Sequence, residues 1–449
     1  MESSEIALAP APAPSVRASG VVLAPHAFDT KKRQRSLAVP FWSLVGSHTV
    51  TDIYPIFWAT LVLVFRRDLN LTDTQIAIIY GTNAIMSGLP QGLFAWLSDR
   101  YNTRLCAPVG LFLSALCLSS MGWATSFEQV LALSIIGQTG NGIYHPIAAA
   151  LAGQMGGKLL KGGRAPAVSV FFAAGVLGGI IGPIACSSIN SHFGVSHLGW
   201  LMIPGVLTAG ALLFLTRGLS HRHANHHEIR ANISKAESAH RWRTVWLLFT
   251  GNCLRFIVNT AMFVLFPIWA ASRYPGESQV NQATELNGTV IIAMQIGMGI
   301  FAIVAARLVP QGRERQAIFG LSVAGAIFTA LTGFAGSYVG MPAMYLCAGL
   351  AGLGFAAILP ITIALAQRLL PGRTGLASSL MMGVAWSAAA LAPWFAKFFF
   401  GNVGLKEAES LAPWRIDLAF TGFGVLLLIA GALSLLMSPA LLKKVAEHH

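Results

Sequence analysis

The sequence predicts an all-α membrane protein, with twelve transmembrane helices in two six-helix pseudo-symmetric lobes. Three observations carry this expectation. The 449-residue chain is 55% hydrophobic and only 10% charged, against roughly 25% charged residues in a soluble domain. Apolar runs long enough to cross about 30 Å of hydrocarbon recur twelve times along it. The longest polar break, Gly218 to Arg243, divides those runs six and six.

Residues 1–36, with an alternating Ala-Pro run, read as a disordered tail lacking the charged start and apolar core of a signal peptide. The first lobe, 37–217, holds runs at about 37–65, 73–96, 105–125, 128–152, 165–189 and 197–217. The first contains a lone carboxylate, Asp52; the fourth contains Gly140 to Pro146; the fifth closes on Gly182-Pro183. Residues 218–242 form a basic, His-bearing linker. The second lobe, 243–437, holds runs at about 243–271, 283–306, 316–336, 341–367, 374–400 and 416–437, followed by a tail at 438–449. Arg255 lies in the seventh run, Gly354 to Pro360 in the tenth, and Ala392-Pro393 in the eleventh.

The net charge of +13 records topology rather than nucleic-acid binding. With a cytoplasmic N-terminus, 23 of the 30 Lys and Arg residues fall in cytoplasmic segments, the positive-inside pattern. Both termini are therefore expected in the cytoplasm of a protein of the inner membrane. The five cysteines all lie in apolar runs without ligand spacing, so neither disulfide nor metal is expected. His221, His223, His226 and His227 sit in the solvated linker without matching Cys or acidic ligands, and read as part of a flexible basic segment. No hydrolase elbow, zinc-helix motif or phosphate loop is present, so the reading is of a non-enzyme without cofactor.

The two halves repeat. Pro146 and Pro360 each follow a Gly by six residues, and stand 214 positions apart. Gly163-Arg164 and Gly372-Arg373 are offset by 209, and Pro183 and Pro393 by 210. Parallel six-helix repeats describe two-lobed secondary transporters, with the substrate site near the midplane between the lobes.

Ala95 to Arg104, between the second and third runs, resembles the cytoplasmic loop signature of the major facilitator superfamily. Asp99 and Arg100 are intact, whereas Ala95 and Asn102 stand where the pattern prefers Gly. The second-half echo, Arg307 to Arg315, has lost its Asp. Gly178-Gly179-Ile180-Ile181-Gly182-Pro183 resembles the Gly-rich signature of that superfamily's antiporters; packing alone is the simpler explanation of such residues. Ser47 to Asp52, Leu71 to Ile76, Gln91, Trp96 to Tyr101, Tyr144-His145-Pro146 and Gly182-Pro183 are similar to the fosmidomycin-resistance efflux family. That resemblance covers roughly 40–190 and is weak beyond, where Arg255 and Phe266-Pro267 are its landmarks. It implies alternating access and proton-driven export of a small molecule.

Candidate functional residues follow. A charge at mid-bilayer costs about 2.5–3.5 kcal/mol on insertion scales, so Asp52 is expected to face a cavity and bind protons, with His145 sharing them. Arg255 is expected as counter-ion to Asp52 or as anchor for an anionic substrate, because a guanidinium matches carboxylate and phosphonate geometry. Asn83, Gln91, Asn141 and Asn259 are candidates to line the same cavity, although each taken alone reads more readily as glue between helices. Asp99, Arg100, Arg104, Gly178, Gly182 and Pro183 are expected to gate the motion. The expected partners are a small-molecule substrate, protons and the bilayer, around a monomer. Two other functions stay open: a facilitator importing organic acids or sugars, and a structural or sensory membrane protein that retains the fold.

Overall fold

A chain with lipid as solvent must satisfy its backbone hydrogen bonds internally, which selects helices. The computed structural model describes residues 27–98, 101, 103, 105–160, 164–216, 234–400 and 413–447, and these contain no strand. The first span, α1 (Leu37–Leu69), is preceded by helix from Ala27, so helix begins ahead of the expected start at Leu37. It is followed by α2 (Asp73–Ser98), α3 (Cys106–Ser120), α4 (Phe127–Leu159), α5 (Arg164–Phe193) and α6 (Met202–Leu215). The second set comprises α7 (Lys235–Arg273), α8 (Val280–Leu308) and α9 (Glu314–Phe334), then α10 (Met341–Leu369) and α11 (Gly375–Phe399). It closes with α12 (Pro413–Ala432) and the short α13 (Pro439–Glu447).

Among the described residues, ten helices are long and apolar enough to cross a membrane. Of the expected twelve, α2 and α4 are long enough, at 26 and 33 residues, but are interrupted by Asn, Gln, Gly and His and are not among those ten. Polar residues in such helices belong where helices face one another rather than lipid.

Interior and periphery differ clearly. In α1 and α7, 78% of the apolar window is buried, against 22% in α6. The two inner helices therefore form the centre of the bundle, while Leu207 of α6 and Phe398 of α11 lie exposed at its rim. Within the first set α3 packs on α4 and α6, α2 on α4, and α1 on α5; within the second, α9 packs on α10 and α12, α7 on α12, and α8 on α10. Across the lobes α5 packs on α8 and α2 on α11. Exchanging the halves interchanges these two contacts, as a pseudo-twofold relation requires.

The repeated glycines explain the close approaches. A Cβ on Gly110 of α3 would stand 2.5 Å from the Gly140 carbonyl oxygen, and one on Gly140 of α4 would stand 2.6 Å from that of Gly110. In the second half Gly325 of α9 meets Gly354 of α10 in the same way. Only small residues allow helix backbones this close, where dispersion replaces the hydrophobic drive that lipid removes.

α1 is broken at 54–56, where Pro55 has no N–H to donate. Its second half buries every residue from Phe57 to Phe65. On the side away from the linker the lobes are tied directly. Asn287 Nδ2 of α8 donates to the carbonyls of Ala59 (2.9 Å) and Thr60 (3.0 Å). Asn190 of α5 donates to Asn281 (3.3 Å), and the Tyr80 hydroxyl to the Phe263 carbonyl (3.0 Å). At the other end Lys444 of α13 pairs with Glu237 of α7 at 2.7 Å. Tight turns between spans use Gly194 (φ 88°) and Gly340 (φ 128°), backbone conformations that an L side chain disfavours.

Gly140→Val forces a side chain into the α3–α4 contact, where overpacking costs about 1–3 kcal/mol. The expected outcome is a melting temperature several degrees lower for the detergent-purified protein. Gly210→Val, at a glycine with nothing within 4 Å, should leave it unchanged.

Candidate functional site

His48 and Asp52 are four residues apart on α1, so they share one helix face. That face meets α5, whose Gly175, Gly178 and Gly182 recur at helical spacing along the contact. A Cβ on Gly175 would stand 2.5 Å from Asp52 Oδ2 and 2.6 Å from His48 Cε1. One on Gly178 would stand 2.8 Å from Asp52 Cβ, and one on Gly182 would stand 2.6 Å from the Ile53 carbonyl oxygen. The missing side chains are the space that the carboxylate and imidazole occupy. Thr49 Oγ1 secures the contact by donating to the Ala174 carbonyl at 2.8 Å.

Three titratable groups converge there. His48 Nε2 lies 3.3 Å from Asp52 Oδ2, and His145 Nε2, from α4, lies 3.1 Å from Oδ1. The far nitrogen of each ring is spent on the backbone: His48 Nδ1 donates to Phe171 O (2.7 Å) and His145 Nδ1 to Asn141 O (2.8 Å). His48 also stacks on Phe171 with ring centroids 4.0 Å apart. The His48 side chain is 2% exposed and that of Asp52 26%, so the carboxylate is reachable while its anchor is not. Around them the Ser47 and Tyr144 hydroxyls bond at 2.6 Å, and Asn141 Nδ2 donates to Ser87 Oγ at 3.2 Å. These contacts join α1, α2 and α4 into one wall.

The structure thus brings Asp52 and His145 together and adds His48, which sequence reasoning had left inside a family resemblance. Its position four residues before an intramembrane carboxylate was the available signal. Asn141 stands beside the group. Gln91 faces Gly383 of α11 across the lobe contact. Asn259 donates to the Met298 sulfur at 3.5 Å inside the second lobe. Asn83, Asn141 and Asn259 each keep a buried amide oxygen without a partner among the described residues. Gly178 and Gly182 pack α5 onto α1, Pro183 lies within the uninterrupted α5, and Gly179 faces Gln295 of α8 across the lobes. Asp99, Arg100 and Arg104 lie outside the described residues, as does the His-bearing stretch 221–227.

Arg255 requires a correction. It is 3% exposed and does not meet Asp52. Its guanidinium donates to Asn252 Oδ1 (3.3 Å), Ser322 Oγ (3.1 Å) and the Ala430 carbonyl (3.1 Å). Three acceptors from α7, α9 and α12 turn it into the second lobe, and the side chains that meet Asp52 are histidines. Two further carboxylates escaped notice because they stand near span starts. Glu314, 2% exposed, opens α9 and pairs with Arg368 near the end of α10. It stands between Arg313 and Arg315, inside the second-half loop echo. Asp417 of α12 is fully buried and accepts from Ser337 Oγ at 3.2 Å.

Two helical lobes in a membrane, with a charged group set into the wall of one beside their contact, define a multi-pass membrane transporter. The chain belongs to the Major Facilitator Superfamily, whose family model matches residues 53–309. It is 24% identical over 357 residues to the fosmidomycin resistance protein of Escherichia coli K12, covering 76% of this chain and 81% of that one. It is 23% identical over 410 residues to the uncharacterized MFS-type transporter YfnC of Bacillus subtilis 168, covering 89% and 94%. Among solved structures, a bacterial homolog of the human lysosomal transporter Spinster superposes with a TM-score of 0.62 at 14% identity, covering 91% of this chain and 98% of that one. The peptide transporter POT in complex with sulfate superposes with a TM-score of 0.65 at 15% identity, covering 90% and 95%. These likenesses show the fold.

Removing one member of a buried ion pair strands the other and costs about 3–5 kcal/mol. Glu314→Gln is expected to lower the melting temperature markedly, and Glu314→Gln with Arg368→Gln to recover part of the loss in the same thermal scan.

Proposed function

We propose that the protein is a proton-coupled secondary transporter that exports a small organic molecule, a drug or an anionic or amphiphilic metabolite, by alternating access. The observation that carries this reading is the quarter-exposed Asp52 held between His48 and His145, on the face of α1 covered by α5. Because α5 also contacts α8, the carboxylate is one helix away from the lobe interface. A carboxylate's proton affinity depends on how far water and cations reach it. Rocking of α5 against α8 changes both. A proton entering on one side and leaving on the other then drives an antiported substrate outward.

The positive-inside distribution supports an inner-membrane location with cytoplasmic termini. The unpaired amide oxygens of Asn83, Asn141 and Asn259 suit donors on a bound substrate, and Gln91 stands at the α2–α11 contact through which a moving lobe would pass. The name of the Escherichia coli relative favours efflux of an antibiotic-like phosphonate or related anion, here by a monomer. Each charge crossing 100 mV is worth about 2.3 kcal/mol, or about fifty-fold accumulation per proton.

The test uses inverted membrane vesicles and a panel of small organic anions including fosmidomycin, with proton efflux followed on addition of each compound. Wild-type protein is expected to couple at least one compound to proton flux. Asp52→Asn at equal expression should reduce that flux about tenfold or more. Unchanged proton dependence in Asp52→Asn would remove the carboxylate from the mechanism.

A further inference from the structure

The hydrogen-bond inventory at Asp52 leaves a deficit that a metal ion fills. A carbonyl oxygen only accepts, so the bonds to Phe171 O and Asn141 O place the hydrogen of each imidazole on Nδ1. A neutral ring then presents the bare lone pair of Nε2. In both histidines that atom points at an oxygen of Asp52, itself an acceptor when ionised. Three acceptors with no donor between them repel unless a proton or another cation joins them. One proton satisfies only one of the two contacts, whether the carboxyl or an imidazole carries it, and the other contact keeps two facing acceptors.

We propose that His48, Asp52 and His145 form a binding site for a divalent transition-metal ion of the zinc or cobalt class. The proposal rests on the reading above of Asp52 as a cation-binding group and adds a second class of cation to it. Imidazole nitrogen with one carboxylate suits borderline divalent metals over magnesium or calcium. Ligands about 2.1 Å from one ion stand roughly 3.0–3.4 Å apart at octahedral to tetrahedral angles. The observed separations are 3.1 Å from His145 Nε2 to Oδ1 and 3.3 Å from His48 Nε2 to Oδ2, one on each carboxylate oxygen, and one ligand atom from each residue lies within 4.8 Å of the others, so the two rings must draw closer on an ion they share. Donation of the outer ring nitrogen to a backbone carbonyl is the usual second shell of a metal-bound histidine, because it fixes the tautomer and aims the ring. Both histidines have it. The exposed part of Asp52 leaves an entry path and room for a water or substrate oxygen as a further ligand. The i, i+4 spacing of His48 and Asp52 on α1 is the local trace of the site, and the third ligand comes from α4.

The test is metal binding by the full-length protein in detergent, with Zn2+ and Co2+ as probes and neither substrate nor gradient. Six histidines at 221, 223, 226, 227, 448 and 449 are first changed to Gln to silence the linker and tail. The expected result is one equivalent of Zn2+ per chain and an intense visible Co2+ spectrum of low coordination number. Asp52→Asn and His145→Gln should each weaken binding about tenfold or more while eluting as a single sharp peak. His48 is packed on Phe171, so its role is read without mutation, from Cu2+ bound to the same six-histidine protein. Pulsed electron paramagnetic resonance should report two imidazole nitrogens. Absence of stoichiometric Zn2+ binding, undiminished affinity in Asp52→Asn, or coupling to fewer than two imidazoles overturns the proposal. Because no transport is measured, that result leaves the proton-flux test standing or falling separately.

Discussion

Contact between α1 and α5 is the constraint on which the rest of the first lobe depends. Gly175, Gly178 and Gly182 remove side chains from one stripe of α5, and His48, Asp52 and the Ile53 carbonyl occupy the space. A charge placed there is neither in lipid nor in bulk water. It sits between two backbones, within reach of α4, with His48 and His145 each held by a backbone carbonyl and aimed at it. Replace the stripe by larger residues and the helices separate, taking the imidazole of His48 from its seat on Phe171.

The two halves share this architecture without sharing its chemistry. Gly110 meets Gly140 as Gly325 meets Gly354, so the outer scaffolding of each lobe repeats. Where the first lobe sets a carboxylate near the interface, the second buries Arg255 among Ser322, Asn252 and the Ala430 carbonyl. A guanidinium with several fixed donors gains more from three converging acceptors than from a distant carboxylate, and removing it from water is costly unless those acceptors are present. Asymmetry of this kind places the His48–Asp52–His145 cluster in one lobe and the buried guanidinium in the other.

How far the sequence foretold these features varies with the physics behind each. Spans and their two-fold grouping were legible because lipid imposes a composition on every residue that faces it. The same rule explains why α2 and α4 read less clearly, since they carry Asn83, Gln91, Asn141 and His145 toward other helices. Asp52 was conspicuous as a charge in an apolar run. His48 was not, because an imidazole needs a neighbour across space to distinguish a ligand from a packed ring. The direction of Arg255 depends on Ser322 and Ala430, residues 67 and 175 positions away, and no local pattern encodes that. Glu314 and Asp417 stand near span starts, where an acid ordinarily reaches solvent. Only the packing of α10 over one and α9 beside the other shows them buried.

The break at Pro55 has a mechanical consequence. Ahead of it, α1 is fastened to α4 and α5; beyond it, the same helix is pinned by Asn287 to α8. One polypeptide segment is thus stapled to both lobes, with its joint three residues from Asp52. Any rotation of one lobe that preserves the Asn287 staple must be absorbed as bending at 54–56. The lever arm to the carboxylate is a single helical turn, so a change in tilt there is delivered to Asp52 with almost no slack.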